Sequence, residues 1–196
     1  MIEGVIDKSP RIETERLTLR KWEQRDLDGL AEMNADPLVR EFFPQEISYA
    51  VSERMLSRML SKQETDGFCF PVVEDRVSGM FLGFCGLGIL DHSVDWPFEG
   101  EVEIGWRLIS NAWGKGIATE AARFWLGFGF DTQGFGEVVS CTSARNSRSR
   151  SVMQRLGMVW DVSEDFDHPQ IEEGHPLRRH VIYRLSRDKF AGQNHD

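Results

Sequence analysis

Glycines at 114 and 116, set between a strand-like run and an amphipathic helix in EVEIGWRLISNAWGKGIA (residues 101–118), are the positions in this sequence best suited to chemistry. Without a Cβ, they let the backbone turn sharply, so that free N–H groups converge on an anion at the positive end of the following helix. Such a turn is built to hold phosphate. The run feeding it carries two carboxylates, Glu101 and Glu103, two residues apart and so on one face of a strand, with Arg107 on the same side.

Spacing narrows the identity of the anion. A P-loop places Ser or Thr after its Gly-Lys pair, and here Gly116 follows Lys115, which excludes ATP binding by that route. A dinucleotide fingerprint needs a third small residue at 119, which is Thr, and belongs near the start of a βαβ unit rather than after several strands. No metal is expected. The cysteines Cys69, Cys85 and Cys141 form no C-x-x-C pair, and His92, His168, His175 and His180 never fall at helical metal spacing with an intervening Glu. The thiols read as reduced and buried.

Composition agrees with one domain over residues 1–196, with a core from about 11 to 187 and short polar tails. Hydrophobic content is 40%, enough for a substantial core. A net charge of −9 argues against nucleic acid or an anionic membrane surface as a partner and fits a cationic acceptor. The start, MIEGVIDKSP, has no basic flank or apolar stretch, and no run approaches a membrane span, so a soluble, cytoplasmic protein is expected.

The elements that must position the glycine turn follow from periodicity. Residues 16–22 (RLTLRKW) alternate as a strand. A helix opens at Asp26, with Leu27, Leu30, Ala31 and Asn34 on one side, and stops near Asp36-Pro37. A second helix covers about 51–65, its stripe of Met55, Leu56, Met59 and Leu60 facing the core. Strands at 68–74 and 80–90 make a hairpin. The loop 91–100 carries Trp96 and Phe98, which either form a binding wall or fold back onto the domain. Strand 101–109 leads into helix 117–131, whose alanines let it pack closely on a sheet. Strand 138–142 precedes a helix capped by Asn146 and ended by Gly157. Strands at 158–162 and 179–185 close the chain, joined by the acidic segment 164–173.

The chain at this point resembles the GNAT superfamily of acetyl-CoA-dependent N-acyltransferases, and within it the Rim-type branch that acetylates ribosomal-protein N-termini. The likeness spans nearly the whole sequence. The family's loop Gln/Arg-x-x-Gly-x-Gly/Ala fits Gly114 and Gly116, with Asn111 departing at its first position. A second element, Asn-x-x-Ser/Ala followed by Leu-Gly-Phe, stands here as Asn146-Ser-Arg-Ser149 and Leu156-Gly157-Met158, and RIETERLTLRKW is similar to the Rim-type first strand.

The resemblance implies an α/β (α+β) fold: a mixed, mostly antiparallel sheet of about seven strands, flanked by about four helices, with the parallel fourth and fifth strands (101–109 and 138–142) splayed around acetyl-CoA. The pantetheine arm would bond the main chain at Leu108 and Ile109. Trp113, Gly114, Lys115, Gly116, Ile117, Ala118 and Thr119 would surround the pyrophosphate, and Asn146, Ser149, Arg150 and Met153 the other side. Arg145, Arg148 and Arg150 either serve those phosphates or form a solvated helix face. Transfer to an amine needs a base, and the resemblance puts Glu103 there, with Glu101 beside it; alternatively both face solvent or pair with Arg107. Many relatives protonate the thiolate with a tyrosine where this chain has Met153. Ser149 could donate to the thiolate instead, or only cap its helix. The acceptor is expected to be a protein N-terminus or a small-molecule amine, on a monomer or homodimer; a non-catalytic acyl-CoA-binding module is the competing reading.

Overall fold

The computed structural model describes residues 9–44, 47–89, 96–98 and 102–193. Its first strands, β1 (Ile12–Glu13) and β2 (Leu17–Arg20), form a narrow hairpin. α1 (Leu27–Ala35) ends at Asp36, whose extended backbone suits a following proline. The Asp36 side chain then caps α2 (Pro37–Arg40), a single turn that the proline stop signal conceals. α3 (Tyr49–Thr65) is capped by Ser48 and buries Leu56 and Met59, while Met55 and Leu60 pack at the edge.

β3 (Val72–Asp75) and β4 (Phe81–Ile89) make the expected hairpin. β5 (Val102–Leu108) leads to α4 (Ile117–Gly127), which continues as a wider π turn over Phe128–Thr132. β6 (Glu137–Ser143) and α5 (Ser147–Arg155) follow, then the short β7 (Val159–Trp160) and β8 (Phe166–Asp167), and finally β9 (Arg179–Ser186) and α6 (Arg187–Gly192).

The strands form one mixed sheet in the order β1-β2-β3-β4-β5-β6-β9-β7, with β8 also on β9. Among the described residues it has nine strands rather than about seven, because β1 and β8 are two residues long and too short to show alternation. The extra helices, α2 and α6, are similarly short.

Every pairing is antiparallel except β5 with β6. β5 is in register with β4 from Gly83↔Leu108 to Ile89↔Val102, but with β6 only at Glu103↔Val139. The parallel strands therefore part beyond Glu103. Both following helices start at that opened end.

Helices cover the two faces of the sheet. On one, Ala121, Ala122, Trp125 and Leu126 of α4 are fully buried against Ile104, Leu108 and Val138. The small alanine side chains bring the helix close to the strands, as the sequence suggests. On the other, Leu30 and Met33 of α1 and Leu56 and Met59 of α3 pack with Trp22, Val72 and Phe84. Arg20 is buried between Asp26 (2.6 Å) and Glu74 (2.5 Å), tying β2 to the start of α1 and to β3.

Phe98 is buried against Val139 and Ile182, with Trp96 packed beside it. These rings fold back onto the domain rather than standing out as a wall. The rest of the 91–100 loop lies outside the described residues. No helix among the described residues is long and apolar enough to cross a membrane.

Candidate active site

A cleft of about 1190 Å³ opens where β5 and β6 part, bounded by the starts of α4 and α5 and by the α2 segment. It is large enough for an extended, multi-group ligand. Gly114 (φ 72°) and Gly116 (φ 78°) both occupy the left-handed region, and no side chain caps α4 at Gly116. An L-residue with a Cβ is strained there, so glycine at both positions lets the turn deliver the first amides of α4 to the cleft. Trp113, Gly114, Gly116, Ile117, Ala118 and Thr119 line that wall, and Leu108 lines it from β5. Lys115 is exposed, and its carbonyl accepts from Arg16 Nη1 at 3.0 Å.

On the facing wall Asn146 caps α5: its Oδ1 accepts from the Ser149 amide at 3.1 Å, while its Nδ2 donates to Thr142 Oγ1 and Ser149 Oγ, each at 3.1 Å. The cap is thus Asn146 rather than Ser149. Having accepted from Asn146, the Ser149 hydroxyl keeps its own proton to donate, and it lines the cleft.

Three expected contacts fall differently. Arg150 does not line the cleft: it donates to Ala144 O and Tyr183 Oη and lies over Trp160, so it braces α5 against β9 and β7. Met153 is fully buried in the α4-side core, because the inner face of α5 must fill space against the sheet. Ile109 offers no free amide, since its N–H donates to Leu82 O at 3.0 Å. The Leu108 carbonyl accepts from Trp113 Nε1, also at 3.0 Å, which pins the indole against the strand end.

Glu103 sits at the β5–β6 pairing point, half-buried on the sheet face away from α4, and like Arg150 it is not among the residues that line the cleft. Burial pushes its carboxyl up to about 7, against the opposing pull of Cys141, whose thiol lies 3.7 Å from Oε1. It neither faces open solvent nor pairs with Arg107, which donates instead to Asn34 Oδ1 at 2.8 Å. A carboxyl group poised near neutrality can accept a proton at physiological pH. Glu101 lies outside the described residues.

Of the remaining rim only Arg148 was among the sequence-based candidates; its aromatic partners and the Arg16 contact were not legible as part of a site. Arg148 of α5 pairs with Glu41 and lies over Phe42 (5.4 Å) and Trp113 (4.6 Å), joining the two lips of the cleft. The Phe42-Phe43 pair beyond Pro37 was the available signal, because adjacent aromatics after a helix stop need some surface to cover. Arg16 approaches from β2's hairpin to hold Glu120 of α4 at 2.5 Å, a contact between residues 104 positions apart that no local pattern reveals.

With this geometry in view, the comparisons with known proteins are direct. Residues 16–159 match the family model described as Acetyltransferase (GNAT) domain. An uncharacterized N-acetyltransferase, p20, of Bacillus licheniformis is 30% identical over 146 residues, covering 73% of this chain and 79% of that protein. A GNAT-family acetyltransferase structure from Bacillus anthracis has the same fold, with a TM-score of 0.73 at 20% identity over 91% of this chain and 99% of that one. So does the ribosomal-protein-S5-alanine acetyltransferase of Vibrio fischeri, with a TM-score of 0.66 at 18% identity over 92% and 98%. The cleft between parting parallel strands, with its glycine turn and the facing wall of Asn146 and Ser149, is therefore set in an acetyltransferase scaffold, and the chain belongs to the GNAT acetyltransferase family.

Proposed function

We propose that this protein moves an acetyl group from acetyl-CoA directly to a primary amine. The observation that carries the reading is that one strand, β5, leads at its far end to an uncapped glycine-led helix N-terminus on the cleft and carries, at the point where β6 leaves it, a glutamate whose carboxyl is raised towards neutrality. When bound, acetyl-CoA supplies an activated thioester. The amides of residues 114–119 hold its pyrophosphate, Leu108 and Trp113 border the arm, and Asn146 and Ser149 close the opposite side. Glu103 takes the proton from the acceptor amine, directly or through one water. The Ser149 hydroxyl is the donor available to the departing sulfur.

The Rim-type likeness, and the alanine acceptor in the name of the Vibrio fischeri protein, support including a protein N-terminal peptide among the acceptors tested. The test is thiol release from acetyl-CoA with a panel of peptide N-termini, polyamines, aminoglycosides and amino acids. Amine-dependent release supports the proposal. Tight coenzyme A binding without release for any amine overturns it in favour of an acyl-CoA-binding module.

A further inference from the structure

Arg107 is a cation built into the cleft wall, and among the described residues no acid neutralises it. Its Nη1 donates to Asn34 Oδ1, and its Nε is buried with no partner. Among the described residues no carboxylate pairs with it, and burial lowers its pKa to about 10, as befits a charge with no compensating anion. The guanidinium is nonetheless firmly seated. Asn34 is fully buried and in turn donates to the fully buried Ser52 Oγ at 3.0 Å, so a polar chain from α3 through α1 fixes the group. Phe43 stacks on it at 4.0 Å and Phe84 lies 5.6 Å away.

Arg107 is half-buried, and its buried Nε has no partner, so the group gains from any anion that compensates it. A guanidinium has five N–H donors in a fixed fork; one is used by Asn34, and the group lines the cleft. The donors left over on the cleft wall suit an anion that arrives with a ligand, and strand geometry says which one. Side chains alternate along β5, so Arg107 shares the face of Glu103, whereas Leu108 shares the α4 face that leads to the glycine turn. Phosphate is met at that turn. Arg107 lies on the other face, the one that carries Glu103, the base of the reading above.

We propose that Arg107 binds a carboxylate on the acceptor, and that the acceptor is a small primary amine carrying a carboxylate, such as an amino acid, rather than a polyamine or aminoglycoside. This rests on the acetyl-transfer reading above and names its substrate class. The Cα atoms of residues 103 and 107 are ~13 Å apart at strand spacing, and both long side chains shorten the gap, so α- and ω-amino acids are both to be tried.

Two matched sets test this, with thiol release as the readout: phenylalanine, phenylalaninamide and phenethylamine; and 6-aminohexanoic acid, its amide and hexylamine. In at least one set the acid should exceed both partners by about tenfold or more in kcat/KM. Arg107→Gln should reduce that ratio to about twofold or less, with the loss falling on KM for the acid. Arg107→Lys, which keeps the charge without the fork, carries the test if the Gln variant does not fold, and should cut the ratio at least about threefold. Release with no preference for the acid, or a preference unchanged in the folded variants, overturns the carboxylate assignment alone. No release with any amine, including the peptides and polyamines, overturns the transfer reading and this proposal with it.

Discussion

The Cys141 thiol lies 3.7 Å from Glu103 Oε1, linking β6 to β5 at the point where the parallel strands begin to part. The contact holds the carboxyl group at the one paired position of the two strands and opposes the effect of burial on its proton affinity. Glu103→Gln should therefore lower kcat by about 100-fold or more with little change in acetyl-CoA Kd, and should abolish the loss of wild-type activity below pH about 7. A pH–rate profile of both proteins checks this; an unchanged kcat removes Glu103 as the base.

The same shift has a stability consequence of definite sign. A carboxyl group raised in the folded state holds its proton there more tightly than in the unfolded chain, so its cost is absent below about 4.5 and complete above about 7. Glu103→Gln should stabilise the fold by about 1–3 kcal/mol at pH 8 and by nothing at pH 4. Urea unfolding at the two pH values measures it, and an equal effect at both contradicts the assigned titration.

Gly116→Val puts a β-branched residue at φ 78° in the turn that presents the α4 amides. We expect loss of measurable acetyl-CoA binding by calorimetry, together with about 1–3 kcal/mol of destabilisation from the forced backbone conformation. Intact binding in the folded variant would remove the turn as the phosphate site.

Arg16 neutralises Glu120, a carboxylate in the first turn of α4 that lines the cleft. Arg16→Met should weaken acetyl-CoA binding by about three- to tenfold, because the freed carboxylate opposes an incoming phosphate, and adding Glu120→Gln should restore most of the loss. Additive effects of the two changes would show that the ion pair has no such role.

Arg20 is a purely structural counterpart. Arg20→Met leaves Asp26 and Glu74 buried around a vanished cation, and should cost about 3–5 kcal/mol in urea unfolding. A loss under about 1 kcal/mol contradicts the buried pairing.

Local pattern determined a good deal of this protein. Strand-like runs between turns identified the long strands, although β2 and β4 prove buried on both faces, and 3.6-residue stripes identified α1, α3 and α4, while α5 was placed by its caps. Gly114, Gly116, Asn146 and Gly157 announced their turns and caps, since left-handed backbone and helix capping demand particular residue types at single positions. The family likeness was also legible there. Tertiary structure alone decided where side chains with two possible partners went. Arg107 turned to Asn34 rather than to Glu103, Arg150 to Tyr183 rather than to the cleft, and Met153 into the core. It also set the proton affinity of Glu103, through burial beside a thiol 38 residues away in sequence. Periodicity fixes the face on which a side chain leaves its element; its partners and its charge state depend on what distant segments bring to that face, and such contacts leave no local trace.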